Sequence, residues 1–416
     1  MQQKLILVSM DALIFEDLAH LAGKPSFGHI MQNGARVERV RSIYPALTYP
    51  CHATMASGCW PAKHGVVNNK ALIPGQKDTA GNWFHHIYKV SDLFDGAKAK
   101  GLTTACVGWP TMACHPNIDY LVAEIAWTKA KTEEEYRAEY LRTGTPEDLW
   151  QTVCQPHVHW RTQKGKVQRF NTKVACEFIR RYQPDLLLMH LADPDRARHK
   201  YGVFAPEVKD ALDECEVILA ELLEAIRDSG EDYNIVVTAD HGQLDVCQTV
   251  SPNALFAKTG FLTLDGDGNV TDWRAWAHST GMSSCVYVKD PVDEPAVYAL
   301  LKSHVGEGCE RVFTREEAAA EGFAGDFAFV METDGKSSFD NDWQGEYLKP
   351  GASTKGNHGY HPDKAPRPTL IGCGPAFRKG VVLPSANLVD GAPTWAKLLD
   401  IPLPDAQGTP LTELLK

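Results

Sequence analysis

The segment N-I-V-V-T-A-D-H-G, residues 234–242, decides the fold. Asn234–Thr238 is short, apolar and β-branched, which suits a strand buried on both faces. Ala239-Asp240-His241-Gly242 then ends the run in two polar side chains. The plan recurs along the chain. Lys4–Val8 runs into Ser9-Met10-Asp11, and Leu186–Leu191 into A-D-P-D-R-A-R-H-K-Y-G. Leu102–Gly108 is a fourth apolar run, ending at Gly108-Trp109-Pro110. Helical patterns lie between them at Leu18–Gly34, Ser91–Lys100 (Ser91 and Gly101 as caps), Thr172–Tyr182 and Pro206–Ile226. In Pro206–Ile226, Val208, Leu212, Cys215, Leu219, Leu222 and Ile226 form one apolar stripe. This alternation predicts an α/β fold, a doubly wound, mainly parallel sheet with helices on both faces. Ligands of such sheets lie beyond the C-terminal strand ends, where the polar clusters after Val8, Leu191 and Thr238 fall.

The chain has 416 residues, too many for one small core. The core is expected at 1–110, 166–257 and 351–416, with Val37–Ile43 as an edge strand, Thr369–Gly372 as a short strand and Ala392–Leu399 as a late helix. Residues 111–165 read as a helical insertion, with a charged helix at Thr132–Arg142 and a helix start at Thr145-Pro146. Residues 258–350 read as an α+β insertion or cap, with a strand at Ser284–Val288 and a helix at Glu294–Val305. A net charge of −11 argues against a general nucleic-acid binder. The 11 cysteines are scattered and form no C-x-x-C pair, as expected of reduced thiols. The apolar run before Asp11 is too short for a signal peptide and no stretch has the length of a membrane span. With Met1 as the start, a cytoplasmic protein is expected.

Tyr44–Asn69 reads Y-P-A-L-T-Y-P-C-H-A-T-M-A-S-G-C-W-P-A-K-H-G-V-V-N-N. Pro45 and Pro50 flank Thr48, so a helix is expected only from Cys51, ending at Gly58. The Thr48 hydroxyl then sits near a helix N-terminus, and Asn69 offers an amide donor. Together they suit a phosphoryl group.

Asp11, Asp195, His199, Asp240, His241 and His358 complete the pattern. Each is expected in a loop, three of the loops directly following apolar strands. Aspartate and histidine without cysteine suit zinc, manganese or iron in a hydrolytic site. D-x-x-x-H places Asp195 and His199 one turn apart if that loop starts a helix. Gly242 is expected to leave room for a metal.

The order Asp11, T-Y-P-C-H, H-G-V-V-N-N, D-P-D-x-x-x-H-K-Y-G, T-A-D-H-G and G-N-H-G-Y resembles the nucleotide pyrophosphatase/phosphodiesterase branch of the alkaline phosphatase superfamily, the type I phosphodiesterases. The resemblance runs from Asp11 to Tyr360 and implies two divalent ions per chain, usually Zn2+. One would be held by Asp11, Asp240, His241 and the Thr48 oxygen, the other by Asp195, His199 and His358. It further implies Thr48 as nucleophile, Asn69 as transition-state donor and a phosphothreonine intermediate. Cys51 departs from the family, which usually has asparagine there. Tyr49 and Trp109 match family aromatic positions, and Tyr49 suggests stacking on a base or another flat group. Trp83, Phe84 and Tyr88 offer further apolar surface. Lys70, Arg196 and Arg198 read either as solvated charges or as a cationic rim for an anionic substrate. His85 and His86 read as an aromatic cap surface or as extra ligands.

The expected activity is a metal-dependent phosphodiesterase or nucleotide pyrophosphatase acting on a small phosphate ester, nucleotide or phosphonate. A phosphonoacetate-type phosphonate hydrolase, on the same core, is the alternative, and a phosphomonoesterase the third. A sulfatase is not expected, because Cys51 and its neighbours do not form the C-x-P-x-R signature. A binding protein without catalysis would not need the complete ligand set.

Overall fold

The computed structural model describes residues 2–364 and 366–416. An eight-stranded sheet forms the centre. Its strands are β1 (Lys4–Met10), β2 (Ala35–Arg41), β3 (Thr104–Val107), β4 (Tyr120–Val122), β5 (Leu186–Leu191), β6 (Tyr233–Thr238) and two late strands, Leu370–Cys373 and Val382–Asn387. β1 lies in the middle, parallel to β5 on one side and β6 on the other. β3 and β4 continue the parallel set beyond β5. Leu370–Cys373 alone runs antiparallel, between β6 and β2, and Val382–Asn387 then pairs parallel with β2. β1, β5 and β6 are almost fully buried because helices cover both faces.

Several boundaries differ from those the sequence suggests. β2 is not at the edge, because Val382–Asn387 covers it. The helical pattern at 18–34 breaks at Pro25, which starts a second helix, Pro25–Asn33, at a position where proline needs no N–H. Asp92, not Ser91, caps Leu93–Ala99, accepting from the Phe94 and Asp95 N–H groups. Residues 111–165 do carry helices, but Tyr120–Val122 also joins the central sheet.

Residues 258–350 contain a four-stranded antiparallel sheet in the order Ala275–Ser279, Ser283–Val288, Phe329–Thr333, Cys309–Thr314. It has its own apolar core, including Trp276, Val297, Leu301 and Met331. A second cluster, Tyr44 with Phe313, Phe323 and Phe327, docks this sheet onto the loop leading to Thr48. No helix among the described residues is long and apolar enough to cross a membrane.

Candidate metal centre and active site

The helix carrying Thr48 spans Thr48–Ser57, three residues longer than the prolines suggest. Pro50 is tolerated in its first turn, where an N–H has no intrahelical partner. Gly58, at φ 69°, ends it in the left-handed conformation. The free N–H groups expected at this end are fewer than a generic helix offers. Pro50 has none, and the Tyr49 N–H donates to Asn69 Oδ1 at 2.8 Å. That bond commits the amide oxygen to the helix start and leaves Nδ2 as the donor end of Asn69.

Two groups of ligand-type side chains meet at this hydroxyl. In the first, His241 Nε2 lies 3.2 Å from Thr48 Oγ1, 3.1 Å from Asp240 Oδ2 and 3.5 Å from Asp11 Oδ1. His241 Nδ1 faces the Gly242 carbonyl at 3.2 Å. A carbonyl only accepts, so Nδ1 carries the proton and Nε2 turns a lone pair on the carboxylates. Asp11 Oδ1 and Asp240 Oδ2 are buried with no hydrogen-bond partner. Burial, first of all, pushes both carboxyls up, and the charges of neighbouring aspartates add to it. Lone pairs converging in a buried pocket without a donor are what a cation neutralises.

In the second group, Asp195 begins the helix Asp195–Tyr201 and His199 follows one turn later, so neither stays in a loop as expected. His199 Nε2 lies 3.3 Å from Asp195 Oδ2, and His358 Nε2 3.6 Å from Asp195 Oδ1. His199 Nδ1 faces the Gly356 carbonyl at 2.7 Å and His358 Nδ1 the Ala46 carbonyl at 3.3 Å. Both therefore present Nε2, as a metal-binding imidazole does. Burial opposes ionisation of Asp195, but His199, His358 and His241 outweigh it and hold the carboxyl below its ordinary range. The His241 and His358 rings stack at 3.8 Å, joining the two groups. All seven predicted ligands thus stand together, and their donor chemistry fits divalent ions.

Backbone contacts hold these groups. Gly356–Asn357 pairs with Leu244–Asp245 and so presents His358. Gly359 has φ 94°, and a Cβ there would lie 1.7 Å from the Thr280 carbonyl. Gly242 serves the same end. A Cβ at Gly242 would meet the Pro366 carbonyl at 2.2 Å, so the space expected for a metal is filled by backbone. Ala12 N–H donates to Asp240 Oδ1, and Gln243 Nε2 to Asp195.

Sequence reasoning missed the residues behind the first group. His190 Nε2 lies 3.2 Å from Asp11 Oδ2. His52 places Nδ1 2.7 Å from the Thr48 carbonyl and Nε2 2.9 Å from Ser9 Oγ. Both had a signal. His52 is one turn after Thr48, and His190 is the one polar residue of an otherwise apolar strand, in register with Ser9.

The expected substrate contacts are largely not where the sequence put them. Trp109 is fully buried, donates to the His52 carbonyl at 3.3 Å and packs edge-on against that ring. It supports the helix through His52. Tyr49 is 1% exposed, and its hydroxyl is bonded to Glu124 rather than free beside a base. Lys70 pairs with Asp78 and lies 5.1 Å from the Trp127 ring. Arg196 pairs with Asp193 at 2.7 Å. Arg198 is neither solvated nor a rim, being fully buried, 2.5 Å from Asp17 and bonded to the Ala12 and Val203 carbonyls. His85 and His115 both point Nε2 at Asp92 Oδ2, away from the first two groups. His115 Nδ1 accepts from Asn117 N–H, so its Nε2 carries a proton and donates to Asp92, while the ligand-type atoms of His85, Asp92 and His115 form a third, separate cluster. His86 is exposed. Trp83 and Phe84 lie under the Arg142 guanidinium, 5.4 Å from each ring.

The model of the type I phosphodiesterase / nucleotide pyrophosphatase family matches residues 5–361. The chain belongs to that family. The family is one of hydrolases, and the chain is an enzyme of that class. Among curated relatives, human (Homo sapiens) ectonucleotide pyrophosphatase/phosphodiesterase family member 5 is 21% identical over 411 residues, 96% of this chain and 75% of the relative. Venom phosphodiesterase 2 of Crotalus adamanteus is 24% identical over 257 residues, 59% of this chain but 27% of its own length. The chain therefore spans only about a quarter of that relative. Solved structures of the murine and human member 5 proteins superpose with a TM-score of 0.69, at 18% and 19% identity, over 100% of each chain. One murine structure is of an inactive threonine-to-alanine variant in complex with AMP. At these identities the structural likeness establishes the fold alone.

Proposed function

We propose that this enzyme hydrolyses phosphodiester or pyrophosphate bonds of nucleotide-like substrates through a phosphothreonine intermediate on Thr48. The observation that carries the reading is the meeting of Thr48 Oγ1 with Asp11, Asp240 and His241 on one side and, through the stacked His358 ring, with Asp195 and His199 on the other. The first group would hold one divalent ion and the second group another, most simply Zn2+. Bound there, such ions lower the pKa of a coordinated hydroxyl and neutralise phosphoryl charge.

The protein's own groups do the rest. The helix start points Thr48 Oγ1 at the phosphorus, and His52 anchors the Thr48 carbonyl from below. Asn69 Nδ2 donates to a non-bridging oxygen, held for that task by the Tyr49 N–H. His199 and His358 keep their Nδ1 protons on backbone carbonyls, so neither ring turns while the phosphoryl group is exchanged. Attack by Oγ1 on phosphorus breaks the bond to the leaving oxygen. Water then cleaves the phosphothreonine and restores the hydroxyl.

Diesters are favoured over dianions because Lys70, Arg196 and Arg198 are all engaged by carboxylates. None is left to meet a phosphonate's carboxylate. The murine relative with bound AMP supports a nucleotide-like organic arm. The eleven thiols, none in a disulfide, support action in a reducing, cytoplasmic setting.

The test compares kcat/KM for bis(p-nitrophenyl) phosphate, p-nitrophenyl phosphate and phosphonoacetate. The expected order has the diester first by roughly tenfold. Phosphonoacetate as best substrate would overturn the diester reading.

A further inference from the structure

We infer that Glu124 is the specificity-determining carboxyl of this active site, accepting hydrogen bonds from N–H groups on the organic arm of the phosphate ester. The inference rests on the diesterase reading above and adds what the site selects for.

A cavity of about 300 Å³ is lined by Gly108, Glu124, Trp127, Arg161, Asn171 and Ala192, among others. Two short connections tie its lining to the metal-ligand groups. Ala192 lies three residues before Asp195, and Tyr49, directly after Thr48, bonds through its hydroxyl to Glu124 Oε2. An ester gripped at Thr48 would send one organic arm into this space.

The lining is aromatic around one carboxyl. Trp127 is half exposed at the lip, with its ring 5.7 Å from that of Tyr49, so a flat group has a face to lie on. The two arginines of the lining are already engaged. Arg161 donates to the Tyr140 and Tyr136 hydroxyls at 3.1 and 3.3 Å, and Arg196 pairs with Asp193. Among the described residues Glu124 has no ion pair, and burial pushes its carboxyl up to about 7. A carboxyl accepts at up to about four lone-pair sites, and the Tyr49 hydroxyl and the Ala126 N–H take two of them, with the Arg161 charge nearby. Glu124 is half-buried, and an organic arm covering it would strip the remaining sites of water, which is unfavourable unless an N–H donor on that arm meets them. A site whose polar group waits for a partner rejects an arm of similar shape without one.

The bland alternative is that Glu124 only anchors the Tyr49 phenol. The experiment separates the two with metal-loaded protein and two substrates. The p-nitrophenyl ester of guanosine 5′-phosphate carries adjacent N–H donors, and bis(p-nitrophenyl) phosphate has a flat arm with none. Glu124→Leu is expected to lower the guanosine-to-bis(p-nitrophenyl) ratio of kcat/KM by about tenfold, chiefly through KM. Glu124→Gln, which keeps one acceptor, should fall between. Tyr49→Phe, which removes the anchor and leaves the carboxyl, should keep the ratio. An unchanged ratio in Glu124→Leu, or a ratio lost in Tyr49→Phe, would overturn the inference. A binding arm stands apart from turnover. In the Thr48→Ala background, GMP should bind more tightly than ribose 5-phosphate, and Glu124→Leu should remove about tenfold of that difference. Wild-type protein that cleaves neither ester would sink the diesterase reading, while the binding arm would still decide for or against Glu124.

Discussion

The two ligand groups look alike in composition but differ in how they stand without a cation. Asp11, Asp240 and His241 bring two carboxylates to one imidazole, leaving two buried oxygens without a donor and both carboxyls pushed up. Asp195, His199 and His358 bring one carboxylate to two imidazoles, and the carboxyl is held below its ordinary range. The second group is close to balanced by its own residues, and the first is not. The unbalanced group is also the one that touches Thr48 Oγ1. Stored unfavourable charge therefore sits beside the hydroxyl that the proposed mechanism would activate with a cation, an arrangement in which binding energy and chemistry would share one location.

The largest effect that can break this comparison is on turnover. Thr48→Ala removes the hydroxyl from the first group and no carboxylate or imidazole from either. Loss of at least about 10³-fold in kcat is expected, with unchanged circular dichroism. Metal analysis should still find close to two equivalents. Activity near half of wild type would mean that another group attacks phosphorus.

Next in size is the support of the second group. Arg198 belongs to the same helix as Asp195 and His199 and locks it to Asp17 and the Ala12 carbonyl. Arg198→Met strands the buried Asp17 carboxylate, and removing one partner of such a pair costs about 3–5 kcal/mol. Urea unfolding should register that loss. A change below about 1 kcal/mol would show that water or a neighbouring donor replaces the guanidinium.

The parallel core was legible because β1, β5 and β6 are short apolar runs that stop at polar clusters. Their C-terminal ends had to share one edge, so Asp11, Asp195 and Asp240 had to approach one another. Two sheet members were hidden. Val382–Asn387 contains Pro384, which argues against a strand, yet an edge strand tolerates a missing N–H. Tyr120–Val122 is too short to show a period. The substrate side was harder to read, because a side chain's role there depends on its partner. Arg198 looks solvated in D-R-A-R-H until Asp17, 181 residues away, takes its charge. Trp109 looks like a pocket wall until His52 occupies its edge. Glu124 stands in an undistinguished loop, and only the Tyr49 hydroxyl and the cavity around it give it meaning.

The smallest expected effect sharpens the comparison most, because it uses metal-free protein and reads stability alone. Asp11→Asn removes a carboxylate that burial and its neighbours disfavour. Asp195→Asn removes one that two imidazoles favour. The signs with pH follow from linkage. A carboxyl raised above its ordinary 3.8, as Asp11 is, binds its proton more tightly in the folded state, so its contribution is full below that value and is lost as pH rises. The advantage of Asp11→Asn over wild type should therefore be near zero at about pH 4 and grow toward pH 8, to roughly 1–3 kcal/mol. Asp195 is lowered, so its contribution is present above 3.8 and lost only as pH falls through a still lower value. Asp195→Asn should be less stable than wild type at about pH 5, by a margin that shrinks as pH rises through the raised His199 imidazole, whose protonated form favours the carboxylate. The check is thermal unfolding of the three proteins after chelation, across that range. If Asp11→Asn tracks Asp195→Asn, the two groups do not differ in their need for a cation. If Asp11→Asn stands above wild type while Asp195→Asn stands below it, and saturating zinc reverses the order, the first group carries the unbalanced charge that the ion relieves.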